Sequence, residues 1–469
     1  MVTLPGKQRI YFLAICGTAM ASLAALLKHQ GHEVYGSDEG IYPPMSTFLE
    51  EQNIPVFSGF GVDHLTPAPD LIVVGNAISR GNVEIEEILD RHLPYISLPD
   101  AIRDFLIRGR RSIVVTGTHG KTTTTALLSW VFQYAGRDPG FLVGGIPLNF
   151  GRGFQSGSGQ DFIIEGDEYD SAFFDKAAKF LRYMPDIAII NCIEFDHADI
   201  YSSLEEIKTA FRRFVNLIPR NGYLAVNQDD PNALEVAAKA FCRIETFGFD
   251  PAAQWRAMNI EILSEGVTFN LWHQGQEKER ILLPLFGHHN IKNTLAAIAV
   301  ASFCGITMDT IAEALAQFRG VKRRLEHKGQ ARGIDIYDDF AHHPTAVRET
   351  LAAVKSKHPN RRIWALFEPR SATTRRNIFQ DEFVSAFEHA DEILFAPVHR
   401  PDKAPPGQVL SLEKLAADLH QRGQRAQAFS GIDAILQHLL LNLRAGDVVI
   451  TFSNGPFGGI HQALLAHLK

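Results

Sequence analysis

Cysteine is scarce in this 469-residue chain, and Cys16, Cys192, Cys242 and Cys304 form no CxxC pair. That spacing excludes a disulfide framework and reads as buried thiols in a reducing compartment. Positive charge is short as well: a formal net charge of -7 argues against a nucleic-acid coat, while leaving room for local basic patches that meet phosphorylated ligands. Long apolar runs are missing. The opening MVTLPGKQRIYFLAICG has only a strand-length apolar stretch ending in a glycine turn, neither a signal peptide nor a spanning helix. The expectation is a cytoplasmic protein without membrane insertion. Repeats, heptads, low-complexity tracts and a disordered tail are also lacking. What is there, 45% hydrophobic and 21% charged residues, is the ordinary balance of soluble domains. The length is too great for one ordinary core, so two or three domains are expected.

The most informative stretch is TGTHGKTTT, Thr116 to Thr124, which joins the β-branched run SIVV to the apolar helix start ALLSWVF. Strand, glycine turn and helix N-terminus together make an anion site: Gly117 and Gly120 let the backbone close around phosphate oxygens, Lys121 neutralises them, and the Thr122 hydroxyl can hold Mg²⁺. Two residues separate the glycines, not the usual four. The competing interpretation is a tight turn carrying an exposed lysine, and Lys121 is in either case expected on an exposed loop, where its removal leaves the fold intact.

Before that loop, RIYFLAICGTAMASLAALLKHQGHEVYGSD reads as the opening of a dinucleotide-type βαβ unit. Only Gly17 survives of the glycine fingerprint, and Asp38 sits where an acid would meet a ribose hydroxyl, which leaves an NAD site open. DLIVVGNAIS is a buried strand with a polar turn at its end, and IRGRR is a linker that closes the first domain near residue 108. After the phosphate loop, the glycine-rich segment Gly144 to Gln160 is expected to be a mobile loop rather than an element. DFIIEGDEYDSAFF then places Glu165, Asp167, Glu168 and Asp170 at the carboxyl end of an apolar strand. Four carboxylates there repel unless a cation joins them; a solvated acidic loop is the alternative. DIAIINCIEFDHADIY delivers Asn191, Glu194, Asp196 and His197 at the end of the next strand, where His197 is a candidate metal or substrate ligand. GHHNIKNTLAAIAVASFCG is a helix whose first turn, with His289, Asn290 and Asn293, offers donors and acceptors to a purine edge. Beyond the basic segment RGVKRR, alternating strand and helix signals imply a third open α/β sheet.

TGTHGKTTT, IIEGDEYDS, NCIEFDHADIY, GHHNIKNTLAA, RRLE and DDFAHHPT, in this order along the whole chain, resemble the ATP-dependent Mur ligases. The resemblance implies an α/β fold of three domains: a Rossmann-like UDP-sugar-binding domain over residues 1–108, a central phosphate-loop ATP-binding domain over 109–320 and a Rossmann-like peptide-acceptor domain over 321–469. It implies ATP and Mg²⁺ as cofactors, with Gly117, Thr118, His119, Gly120, Lys121, Thr122 and Thr123 around the phosphates. Metal would be held by Thr122, Glu165 and His197, adenine met by Asn293, the phosphates by Arg324 and the ATP ribose by Asp339. Gly17 and Thr18 would lie beside the UDP diphosphate, Asp38 near the uridine end and Asn76 at the substrate. One family feature departs: where several members carry a carbamylated lysine, YSSLEEIKTAFRRF has Phe211, and Lys208 is expected to be an ordinary helix-surface lysine.

Within the family, AICGTAM and DDFAHHPT resemble the branch acting on UDP-N-acetylmuramate. YPPMST, DEYDSAFFDKAAKF, FEPRSATT and SNGPFGGIH resemble the member that joins it to L-alanyl-γ-D-glutamyl-meso-diaminopimelate in peptidoglycan recycling. A tripeptide brings extra carboxylates and a distal amine, and Arg370, Ser371, Thr373 and Asn454 are the groups expected to match them, the alternative being ordinary loops at strand ends. His343 is a candidate substrate group and base, or else a packed helix cap. The implied partners are these small molecules, with no nucleic acid and no obligate protein partner. Alternatives are the UDP-N-acetylmuramate:L-alanine ligase and, from other classes, a non-catalytic nucleotide-binding protein or an NAD-dependent dehydrogenase.

Overall fold

The computed structural model describes residues 6–468. Met1 to Pro5, part of the stretch read above as non-targeting and of the first expected domain, lie outside the described residues, as does Lys469 of the third. Near-continuous apolar runs such as RIYFL and LIVV become strands buried on both faces, the pattern of parallel sheets covered by helices. Five of them, β1 (Arg9–Leu13), β2 (Glu33–Asp38), β3 (Val56–Ser58), β4 (Leu71–Val74) and β5 (Tyr95–Ser97), pair in parallel in the order 3-2-1-4-5. This is the doubly wound order expected of a Rossmann-like unit.

A second sheet has ten strands. Its parallel part comprises β6 (Arg111–Thr116), β7 (Gly140–Leu142), β9 (Asp161–Glu165), β12 (Ile187–Ile190), β13 (Tyr223–Asn227) and β14 (Arg243–Gly248). The two-residue β8 (Phe154–Gln155) closes one edge, and a meander of β15 (Trp255–Ile262), β16 (Val267–His273) and β17 (Gln276–Leu283) closes the other. A separate ribbon of β10 (Asp170–Ala172) and β11 (Asp175–Ala178) leaves the end of β9. Helices Lys121–Tyr134 and His288–Phe303 cover one face, packing Leu127, Val131 and Leu295 onto Ile113, Val115, Ile163 and Ile189. Helix Leu204–Val215 covers the other face through Phe211 and Phe214, which meet Phe180.

The third sheet runs β18-β19-β23-β20-β21-β22, with β18 (Glu326–Ala331) antiparallel to β19 (Ile334–Asp339). β20 (Ile363–Phe367), β21 (Glu392–Phe395), β22 (Arg425–Ala428) and β23 (Val448–Phe452) are parallel, and β23 inserts between β19 and β20. All three units are therefore α/β, although the third has a different strand order from the first. The glycine-rich segment expected to be a mobile loop is instead tied down: β8 pairs with β7, the Val143 N–H donates to Gly153, and the Leu148 N–H donates to Gly320. Gly153, Gly157 and Gly159 serve close backbone approach rather than slack, since a Cβ on them would lie 2.5, 2.3 and 2.0 Å from neighbouring backbone atoms.

Candidate active site

β6, β9 and β12 are neighbours, so the polar groups that follow each of them converge at one sheet edge. Gly117 follows β6 at φ 129° and Gly120 starts the helix at φ 80°. A Cβ on Gly117 would lie 2.9 Å from the Cys192 nitrogen, and one on Gly120 would lie 2.3 Å from Asn293 Oδ1. Only glycine fits either place, because the backbone is left-handed and the space is occupied. The Thr118 N–H donates to the Cys192 carbonyl at 2.8 Å, and the Glu194 N–H donates to Thr118 Oγ1 at 2.9 Å, which moors the loop to the segment after β12.

Lys121 is not exposed. Its side chain retains 12% of its surface, and Nζ donates to both carboxylate oxygens of Glu168, at 2.9 and 3.0 Å, and to the carbonyls of Gly117 and Thr118. Burial opposes the ammonium charge, but Glu168 and Asp167 outweigh it and raise the Lys121 pKa. Glu168 also meets His197 Nε2 at 3.0 Å. Burial likewise opposes the charge on His197, and the Glu168 hydrogen bond overcomes it, so its pKa rises. Asp167, despite burial, is held down at about 2 by Lys179 and Lys121. On the other side of the loop the Thr122 hydroxyl donates to Glu165 Oε1 at 2.9 Å and accepts from Arg324 Nη2 at 3.0 Å, while Glu165 Oε2 accepts the Gly144 N–H.

Lys121, Thr122, Glu165, Asp167, His197 and Arg324 line a cavity of about 490 Å³ between the second and third sheets. Asn293 reaches it from the first turns of helix His288–Phe303, where Asn290 Oδ1 accepts from its amide. Thr118, His119 and Thr123 line it too, as does Asp339 at the end of β19. Both Asp339 oxygens accept backbone N–H groups, from Ala341 and Leu325, and burial nevertheless pushes its pKa up to about 6. The cavity thus joins groups of the expected phosphate, adenine and ribose positions.

His343 lines the same cavity but is tied up. Its Nδ1 accepts the Thr345 N–H as the cap of helix Pro344–Lys357, Nε2 faces the Phe195 carbonyl at 3.2 Å, and burial lowers its pKa to about 4. Of the two roles left open for His343, the cap is the one present in this geometry, and it uses the Nδ1 lone pair. In FEPRSATT, the Thr373 side chain is buried, and its Oγ1 accepts the Ala198 N–H across the domain boundary. Ser371 bonds with Thr374 inside its own turn, whereas Arg370 remains 30% exposed, 3.5 Å from Glu368. Asn454 is half-buried, with its Oδ1 unpaired.

In the first domain, Gly17 caps helix Thr18–His29, and Asp38 accepts from the Cys16 N–H at 2.8 Å, so the three residues gather at one strand–helix turn. Asn76 is engaged instead with Asp170 of the β10–β11 ribbon at 3.0 Å. Lys208 is no ordinary surface lysine. Only 7% of its side chain is exposed, beneath Glu205 and Glu235. Phe211 is fully buried against Phe180. Glu168 and Glu194, which the sequence offered only as members of polar clusters at the carboxyl ends of β9 and β12, take specific places here: Glu168 between Lys121 and His197, and Glu194 beside His119.

Family models described as Mur ligase family, catalytic domain, Mur ligase middle domain, and Mur ligase, glutamate ligase domain match residues 9–110, 115–301 and 323–455. The chain is 39% identical over 460 residues to the UDP-N-acetylmuramate–L-alanyl-gamma-D-glutamyl-meso-2,6-diaminoheptandioate ligase of Escherichia coli, with 98% of each chain covered. To a UDP-N-acetylmuramate–L-alanine ligase of a Geobacter species it is 33% identical over 464 residues, again with 98% of each covered. The crystal structure of a murein peptide ligase from Psychrobacter arcticus superposes with a TM-score of 0.73 at 38% identity, covering 98% of both chains.

Proposed function

The chain belongs to the Mur ligase family, and from that premise we propose that it is the ATP-dependent, ADP-forming ligase that joins UDP-N-acetylmuramate to L-alanyl-γ-D-glutamyl-meso-diaminopimelate, a cytoplasmic step of peptidoglycan recycling. The reading is supported most by one observation: Thr122, Glu165 and Arg324 meet within 3.0 Å beside the phosphate loop of a chain 39% identical throughout to a ligase named for that reaction. We keep 1–108, 109–320 and 321–469 as the limits of the sugar, ATP and acceptor domains.

A carboxylate and an ammonium do not condense in water, because oxide does not leave and both ions are solvated. In the proposed reaction the lactyl carboxylate attacks the γ-phosphorus of ATP, ADP leaves, and an acyl phosphate forms. The α-amine of the tripeptide, as the neutral amine, then attacks the acyl carbon, the nitrogen gives up a proton, and phosphate departs with closure of the amide. Lys121 and Arg324 would screen the repulsion between carboxylate and γ-phosphate, a positioning and electrostatic contribution. Asn293 would orient the adenine and Asp339 the ribose.

The donor set suits Mg²⁺. A threonine hydroxyl and a carboxylate, 2.9 Å apart at a helix N-terminus, are the hard oxygen ligands that this ion takes together with phosphate oxygens. Thr122 and Glu165 would hold one ion, and His197 with Glu168 a second. Bound there, Mg²⁺ supplies charge neutralisation to the transferring phosphoryl group.

Phosphate release from ATP in the presence of UDP-N-acetylmuramate, measured across a panel of acceptors, tests the reading. Tripeptide should be used far better than free L-alanine. Efficient alanine ligation without tripeptide product would assign the chain to the biosynthetic L-alanine ligase, and no acceptor-dependent release at all would leave a nucleotide-binding protein.

A further inference from the structure

The segment that carries His197 is gripped by two domains. β12 of the central sheet delivers it, and the third domain holds it: Thr345 Oγ1 donates to Glu194 Oε2 at 2.8 Å, the Ala198 N–H donates to Thr373 Oγ1, and Arg376 donates to the Ala198 carbonyl at 2.9 Å. Glu194 is where this grip meets the phosphate loop. The same Oε2 lies 3.2 Å from His119 Nε2, and the Glu194 backbone is bonded in both directions to the Thr118 hydroxyl. Thr345 belongs to the first turn of helix Pro344–Lys357, so the carboxylate also faces the positive end of a helix dipole, where an anion is favoured.

We propose that Glu194 is a positioning residue, the clasp that docks the acceptor domain onto the loaded phosphate loop so that the acyl phosphate meets the peptide amine before water does. The proposal rests on the ligase reading above and deepens it. Two half-reactions share one intermediate, but their reactants are carried by different domains, and an acyl phosphate waiting for a misplaced amine is hydrolysed. Water then adds at the acyl carbon, the C–O bond to phosphate breaks, and carboxylate, inorganic phosphate and a proton are returned. The geometry makes Glu194 the side chain that touches the phosphate loop and the acceptor-domain helix through a single oxygen.

The test is the ratio of phosphate released to amide formed, measured with ATP, UDP-N-acetylmuramate and tripeptide. Wild type should stay near one to one. Glu194→Ala should raise the ratio roughly tenfold, the consequence of losing a charge-assisted hydrogen bond at the docking point. Glu194→Gln should raise it less, because its amide oxygen still accepts from Thr345. Thr345→Val, which changes the partner and leaves the phosphate loop untouched, should reproduce the uncoupling, and combining it with Glu194→Ala should add little. Variants that are slower but remain one to one would overturn the clasp, leaving Glu194 a structural group. Wild type that releases phosphate without making any amide would instead overturn the ligase reading itself.

Discussion

Two lysines in the central domain are both paired with carboxylates and both covered, yet their settings differ in the exposure of the partner. Lys121 bonds to Glu168, whose side chain is 2% exposed. Lys208 bonds to Glu205 and Glu235, which are 66% and 50% exposed. Water can replace a lost lysine for the second pair, whereas Glu168 in the first is almost fully enclosed. An ion pair whose partner is solvated contributes little, whereas breaking a buried one leaves a stranded charge. Lys121 therefore holds together the phosphate loop, the acidic loop after β9 and, through Glu168, His197, while Lys208 links helix Leu204–Val215 to helix Pro231–Ala237 through solvated partners.

The largest effect expected from this contrast is that of Lys121→Ala. Ligation should fall at least a hundredfold, since a charge-assisted contact to the transferring phosphoryl group is worth about 3 kcal/mol or more. The burial of the pair adds a consequence that an exposed loop would not have: Glu168 is left with His197 alone, and the protein should also lose stability. Steady-state turnover and the urea midpoint of the same preparation check both halves. Wild-type turnover would remove Lys121 from the phosphate site.

Glu168→Gln removes the charge and keeps the shape, and it should cost roughly tenfold in turnover because Lys121 and His197 lose their common anion. Glu235→Gln, the matching change at the other lysine, should leave the rate as it was. Equal effects from the two variants would erase the distinction between buried and solvated partners.

The sequence made the phosphate loop, its neighbouring acidic strand end and the three α/β units legible, because each is written in local chemistry: β-branched runs, glycines at turns, a lysine before a threonine. What it hid depended on tertiary placement. Lys121 looked exposed because a loop lysine usually is, and only the approach of Glu168, 47 residues away, covers it. Thr373 looked like an acceptor contact because it lies in a loop after a strand; the neighbouring domain turns its hydroxyl to Ala198. His343 left capping and base chemistry equally open until Thr345 and Phe195 took its nitrogens. The segment Gly144 to Gln160 looked slack because composition cannot report the backbone partners that its glycines admit.

Arg370 keeps only a long contact, 3.5 Å, to Glu368 and stays 30% exposed, so it is freer to take a carboxylate than either lysine. Arg370→Ala should raise the KM for tripeptide roughly tenfold, the loss of one bidentate contact, with the KM for ATP unchanged. An unchanged tripeptide KM would make this loop an ordinary strand end.

The smallest effect belongs to Lys208→Ala, and it carries the most specific chemical claim. Lys208 donates to Glu205 at 2.9 Å and to Glu235, and these two carboxylates hold its amine as an ammonium, raising its pKa. Carbamylation needs the neutral amine, so a lysine pinned between two carboxylates is poorly suited to become a metal-holding carbamate. Phe211, one helical turn on, is fully buried against Phe180 and supplies no ligand. Lys208→Ala should therefore keep turnover within about twofold, as expected when a pair with solvated partners is removed, and added bicarbonate should change neither wild type nor variant. A dead Lys208→Ala protein that recovers with short carboxylic acids would show that a carbamate at this lysine holds metal after all, and the two lysines would then be functional equals.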